Sequence, residues 1–151
     1  MNQDSFALLL SDASRLIRRR FDLRARSLGV SRAQWRVLLT LSRNEGINQT
    51  GLAEWLEVET ITLCRMVDRL AEAGLVERRP DPADRRAWRL YLTETARPLL
   101  EQLLRVADDV VGEALAGIEP ATVDIMTTAL MTIRGNLTTR VETRVAKAGV
   151  S

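Results

Sequence analysis

Guanidinium groups are the chemistry this sequence holds in quantity. Between Thr60 and Leu92, Arg65 and Arg69 fall four residues apart, and Arg85 and Arg86 follow Asp84 in a Pro/Asp-rich segment. An arginine presents a planar fork of donors that matches a phosphate, a carboxylate or a guanine edge through two parallel hydrogen bonds. It also suits insertion into a narrow minor groove. Lys147 is the single lysine, so nearly all the positive charge is of this kind. Thr60 and Thr62 add hydroxyls to the same stretch as Arg65 and Arg69. Arginines on an exposed helix face, followed by arginines at a hairpin tip, suit a helix in one DNA groove and a loop in the next. Each half also has an ordinary reading, as a solvated helix or a salt-bridged surface turn, and a GC-rich genome favours arginine codons by itself.

The rest of the composition removes most catalytic chemistry. The chain has 151 residues, no histidine and one cysteine, Cys64. That excludes an internal disulfide, histidine-based triads and Cys/His zinc sites. No Gly-rich phosphate loop of the nucleotide-binding types occurs. The carboxylates Glu57, Glu59, Asp81 and Asp84 sit beside cations or at turns, without a nucleophile–base pair, so an enzyme is not expected. Net charge is only +2, which makes the placement of charge more informative than its sum. No apolar run approaches the roughly 18 residues of a membrane span, and no signal peptide is expected at the N-terminus. A single soluble cytoplasmic domain, with no cofactor and no membrane partner, is the expectation.

Several elements must hold these arginines. From Gln3 to about Leu28, Phe6, Leu9/Leu10, Ala13, Leu16/Ile17 and Phe21 form one helical stripe, with Arg15, Arg18, Arg19 and Arg26 opposite and Gly29 as C-cap. Ser31-Arg32-Ala33-Gln34 reads as a capping box, opening a helix to about Arg43 that buries some of Trp35, Leu38, Leu39 and Leu41. Asn48 caps a short helix, Gln49 to Leu56, with Leu52, Ala53 and Leu56 inward. After Glu57-Val58-Glu59, a helix from Thr60 to about Ala73 turns Leu63, Met66/Val67 and Leu70 inward. This is a helix-turn-helix order, in which the last helix enters the major groove by its N-terminus.

Gly74 stops that helix. Leu75 to Arg79 reads as a strand, and Pro80 to Asp84 as a turn, because proline lacks the ladder donor. Trp88 to Leu92 returns with Trp88, Leu90 and Leu92 on one face, leaving Asp84, Arg85 and Arg86 at the tip. Thr93 is an N-cap, with Glu94 complementing the dipole of the long helix that follows. Gly117 ends that helix and Pro120 starts the last one, where Val123, Met126, Leu130, Ile133, Leu137 and Val141 make a near-heptad seam. The seam fits helix pairing between chains or packing within one chain. The predicted fold is mainly α with a small β-hairpin wing: a winged helix-turn-helix at about 31–92, flanked by long dimerisation helices at 3–28 and about 94–146.

Two ordered motifs resemble the MarR family of winged helix-turn-helix regulators, and within it the SlyA-like branch. D-R-R-A-W-R-L-Y-L-T-E-T-A from Asp84 to Ala96 is similar to the family's wing signature. T-L-C-R-M-V-D-R-L from Thr62 to Leu70, followed by Gly74-Leu75-Val76, resembles its recognition helix. The sequence departs from the pattern at Cys64, commonly Thr or Val, and at Trp88, often polar. The resemblance implies a homodimer on a pseudo-palindromic double-stranded DNA operator, acting as a ligand-responsive repressor. It implies that Arg86 enters the minor groove with Asp84 holding its side chain, and that Thr62 and Arg65 meet bases or phosphates, with Thr60, Arg69 and Arg85 nearby. It also implies an aromatic or phenolic effector between the dimer helices and the winged helix. There Phe21, Trp35 and Leu38 would line the pocket and Arg20 or Arg24 would meet a carboxylate; the alternative is that Phe21 and Trp35 are ordinary core. A competing reading of the whole chain is a winged-helix module for protein–protein assembly without direct DNA contact.

Overall fold

The structure, a computed structural model, describes residues 3–148, with side chains described over 5–138. The chain divides into two compact units, one through Val111 and one from Gly112.

The first unit contains helices α1 (Gln3–Arg26), α2 (Arg32–Arg43), α3 (Gln49–Leu56) and α4 (Thr60–Glu72), then strands β1 (Val76–Pro80) and β2 (Trp88–Leu92), and most of α5 (Ala96–Ala114). The local signals act as the sequence predicts. Ser31 accepts from the Gln34 N–H while Gln34 Oε1 accepts from the Ser31 N–H at 2.9 Å, a complete capping box. Asn48 Oδ1 accepts from Gly51 N–H at 2.7 Å, satisfying one of the open donors of α3. Thr93 Oγ1 accepts from Ala96 N–H and donates to the Gly74 carbonyl, so one side chain joins the end of α4 to the start of α5.

The core lies where the helix-turn-helix meets the hairpin. Val37, Leu38 and Leu41 of α2 meet Leu52, Ala53 and Leu56 of α3, Leu63, Val67 and Leu70 of α4, and Val76 and Leu90 of the hairpin. Phe21 and Ala25 of α1 and Leu103 and Val110 of α5 join the same cluster. Each fully buried leucine is worth about 1.5–3 kcal/mol relative to exposure, which fixes α4 by Leu63, Val67 and Leu70 and leaves its opposite face free. Val37, absent from the predicted inward set, is fully buried, whereas Trp35 and Leu39 only pack against the core.

β1 and β2 pair antiparallel with Val76 opposite Leu92, Arg78 opposite Leu90 and Pro80 opposite Trp88. Pro80 therefore closes the ladder instead of beginning the turn, because an end position places no demand on its missing donor. The other edge of β2 is also engaged: Gly46 N–H donates to Leu90 O at 2.8 Å and Leu90 N–H to Ile47 O at 3.0 Å. Gly46 has φ +85° and a Cβ there would lie 3.1 Å from Tyr91 Oη, so this crossing needs glycine. Of the predicted inward face of β2, Leu90 is buried but Trp88 is exposed.

The N-terminal part of α1 keeps its predicted apolar stripe uncovered within this chain. Every described side chain from Ser5 to Arg20 is exposed, including Phe6, Leu9, Leu10, Leu16 and Ile17.

The second unit holds the end of α5 and α6 (Pro120–Ala148). Pro120 takes the first helical position and Gly117 has φ +82°. Met126, Leu130 and Leu137 are exposed and Val123 and Ile133 half-buried, while Val141 lies outside the described side chains.

Candidate nucleic-acid interface

α3, its turn and α4 position the first half of the site. The turn is tight: Glu57 adopts the left-handed region at φ 53°, and Val58 N–H returns to Ala53 O at 3.0 Å. A non-glycine residue there carries backbone strain, held by burial of Leu56 before it and Leu63 after it. With 3.6 residues per turn, the line opposite Leu63, Val67 and Leu70 runs through Ile61 and Arg65. Thr60, Thr62 and Arg69 are also exposed. Ile61 is 65% exposed, a residue that the sequence reading passed over in favour of the two threonines.

The hairpin positions the second half. Asp81 Oδ1 accepts from Ala83 N–H at 2.8 Å and Asp81 Oδ2 from Arg89 Nε at 2.9 Å, so a single carboxylate ties the turn to β2. The Ala83 N–H and then the Arg89 guanidinium hold the Asp81 carboxyl below its ordinary range, and Asp81 in turn raises Arg89. Asp84 Oδ1 accepts from the Arg86 backbone N–H at 2.9 Å, and Ala87 N–H returns to Asp84 O at 3.0 Å. Asp84 therefore holds the main chain beneath Arg86, not its guanidinium, the position a two-residue separation favours. Arg85 and Arg86 are exposed at the tip.

A polar cluster joins the two halves. Arg78 of β1 donates from Nε to Gln49 Oε1 at 2.7 Å, and from Nη2 to Asp68 Oδ1 at 2.6 Å and to Cys64 O at 3.4 Å. Gln49 Nε2 also lies 3.4 Å from Cys64 Sγ. One guanidinium thus spans α3, α4 and the hairpin. The sequence reading missed Arg78 and Asp68, although a signal existed: Arg78 shares a strand face with buried Val76, and an arginine on an inward face needs a partner.

From Thr60 to Arg97, the arginines separate into two sets by their partners among the described residues. Arg78, Arg79, Arg89 and Arg97 are ion-paired, the last three with Glu77, Asp81 and Glu94. Arg65, Arg69, Arg85 and Arg86 are exposed, and no ion pair or side-chain hydrogen bond engages them. Two exposed, unpaired pairs of guanidinia, one on a helix and one on a loop anchored to it, form a surface for a polyanion.

The residues predicted for an effector lie elsewhere in this unit. Phe21 and Trp35 pack edge to face with centroids 4.5 Å apart, Trp35 Nε1 donates to Asp22 Oδ1 at 2.7 Å, and Leu38 is fully buried. Arg20 is exposed and Arg24 half-buried. A separate depression is lined by Ser31, Ala33, Gln34, Met66 and Arg69.

Comparison with known proteins agrees with this geometry. The MarR family model matches residues 30–88, from the end of the α1–α2 connection to the start of β2. The crystal structure of the transcriptional regulator PA3341 is 36% identical, with 89% of this chain and 98% of that chain covered and a TM-score of 0.78. The chain belongs to the MarR family. A MarR family transcriptional regulator from Rhodococcus sp. RHA1 is 28% identical, covers 88% of this chain and 94% of its own, and has a TM-score of 0.75. A cysteine-to-serine mutant of MarR from E. coli, complexed with operator DNA, is 25% identical over 85% of this chain and 93% of that chain, with a TM-score of 0.71. The MarR fold accounts for the mainly helical chain with its two-stranded wing, and the matched segment contains Arg65, Arg78 and Arg86 together.

Proposed function

We propose that this MarR family chain is a DNA-binding transcription regulator, not an enzyme, acting in the cytoplasm as a ligand-responsive repressor of the SlyA-like branch. The observation that carries the reading is that α4 and the wing joined to it each present a pair of exposed guanidinia, Arg65 with Arg69 and Arg85 with Arg86, unpaired among the described residues. α4 enters a major groove, where Thr60, Thr62 and Arg65 meet bases or phosphates, and Arg86 enters the adjacent minor groove from a backbone set by Asp84. The operator-bound MarR from E. coli supports DNA as the polyanion.

The working unit is a homodimer. Phe6, Leu9, Leu16 and Leu137 are exposed on long helices that a lone chain leaves uncovered, and a second copy would remove that apolar surface from water. Two-fold symmetry then calls for a pseudo-palindrome with half-sites roughly 10 bp apart. An aromatic or phenolic acid is the proposed effector, seated near Phe21, Trp35 and Leu38 with its carboxylate toward Arg20 or Arg24. Because Phe21 and Leu38 are buried, the ligand must repack this region, and it releases DNA only by its differential affinity for the two states.

Selection of bound sites from a random DNA pool tests the reading. Enrichment of a pseudo-palindrome is expected. Failure to retain DNA at low salt would overturn it in favour of a protein–protein module.

A further inference from the structure

An apolar side chain stands on the outward line of α4, in the first turn of the helix. Ile61 is 65% exposed, on the second residue of the helix. It has no part in the core, which takes Leu63, Val67 and Leu70 from this element. Nor does it fix the helix start. That role falls to Val58, which packs on the core, and to Leu63, whose N–H donates to Glu59 O at 3.0 Å. Ile61 precedes Arg65 by four residues, so the two side chains lie one above the other on the outward line. The neighbours Thr60 and Thr62 are exposed on either side.

A β-branched hydrocarbon exposed to this extent, beside unpaired Arg65, matches one feature of the major groove. Of the base edges presented there, thymine alone carries a methyl group. Burial of that methyl against Ile61 removes apolar surface of both partners from water. A helix turn rises about 5.4 Å and a base step roughly 3.4 Å, so the base under Ile61 lies about one or two steps from the base under Arg65.

We propose that Ile61 is a specificity-determining residue that reads the C5-methyl of one thymine in each half-site, one or two base pairs from the position met by Arg65. The proposal rests on the DNA-binding reading above and adds to it an apolar contact beside the hydroxyl and guanidinium contacts.

The test uses the full-length protein and its selected operator. Each thymine of a half-site is replaced in turn by uracil, which deletes the methyl and leaves every hydrogen-bonding group in place. Affinities are measured by fluorescence anisotropy for the wild type and for Ile61→Ala. One uracil position is expected to weaken wild-type binding about fourfold, the effect of one buried methyl-sized group. Ile61→Ala is expected to bind more weakly than wild type and to lose sensitivity at that position only. Because Ile61 is exposed, Ile61→Ala should melt as wild type does, and helical circular dichroism checks this. A flat uracil scan, or equal sensitivity in both proteins, would overturn the role of Ile61 while leaving DNA binding intact. A protein that enriches no DNA would overturn the underlying reading, and the proposal with it.

Discussion

Arg78 Nη2 lies 2.6 Å from Asp68 Oδ1, joining the first strand of the wing to the middle of α4. The arginine is the less exposed partner and also donates to Gln49 of α3. The two arms of the interface are thereby held in one geometry, which matters because their ligand is rigid over the distance between grooves.

Arg78→Met should loosen that geometry. A hydrogen-bonded charge is worth about 1.5–3 kcal/mol, and exposure of Asp68 reduces this, so a stability loss of about 1–2 kcal/mol is expected in urea unfolding. Affinity for operator should fall further than in Arg79→Met, where a surface pair with Glu77 is lost instead. Wild-type unfolding of Arg78→Met would show that the cluster does not hold the wing.

Arg86→Ala should weaken operator binding by about 1–3 kcal/mol, the scale of one specific contact, with an unchanged melting temperature because its guanidinium holds nothing among the described residues. Asp84→Ala should act on the same step by a different route, freeing the main chain beneath Arg86 at an entropic cost on binding. Equal affinity of Arg86→Ala and wild type would remove the wing tip from the interface.

Much of this arrangement is legible in the sequence because its signals are local. Ser31-x-x-Gln34, Asn48, Thr93 and Pro120 mark helix starts by the bonds their own side chains make or, for proline, do without, and Trp88 to Leu92 alternates as a strand does. What stayed hidden depends on non-local partners. Arg78 meets residues from two helices, and Asp81 rather than Asp84 makes the ion pair at the wing's turn because strand register brings Arg89 beneath it. Ile61 was legible and passed over: the period that turns Leu63, Val67 and Leu70 inward already places it on the opposite line, but its neighbours Thr60 and Thr62 carry the hydrogen-bonding groups.

Acid should act on the wing through Asp81. Its carboxyl is held below the ordinary 3.8 by Ala83 N–H and Arg89, so the unfolded chain binds the proton more readily than the folded one. The stability it contributes is complete above that value and is lost as pH falls below 3.8 through the folded value. Asp81→Asn should therefore be less stable than wild type at neutral pH, with the difference shrinking below pH 3.8 in thermal melts. A difference that stays constant on acidification would contradict the assignment.

Leu9 is 69% exposed on α1. In an isolated chain, charge there costs within about 0.5 kcal/mol; in a homodimer that covers α1, it buries an unpaired carboxylate. If the chain pairs as proposed, the wild type should sediment as a dimer and Leu9→Glu should shift it toward monomer in sedimentation velocity. Identical mass for both proteins would place Leu9 outside any interface between copies.

In the proposed complex, exposed guanidinia of α4 and the wing neutralise DNA phosphates. Anisotropy titrations of the selected operator over a series of salt concentrations test it most directly. The logarithm of affinity should fall linearly with the logarithm of salt, by roughly 0.9 per phosphate neutralised, and less steeply for Arg86→Ala. A slope near zero would contradict the account.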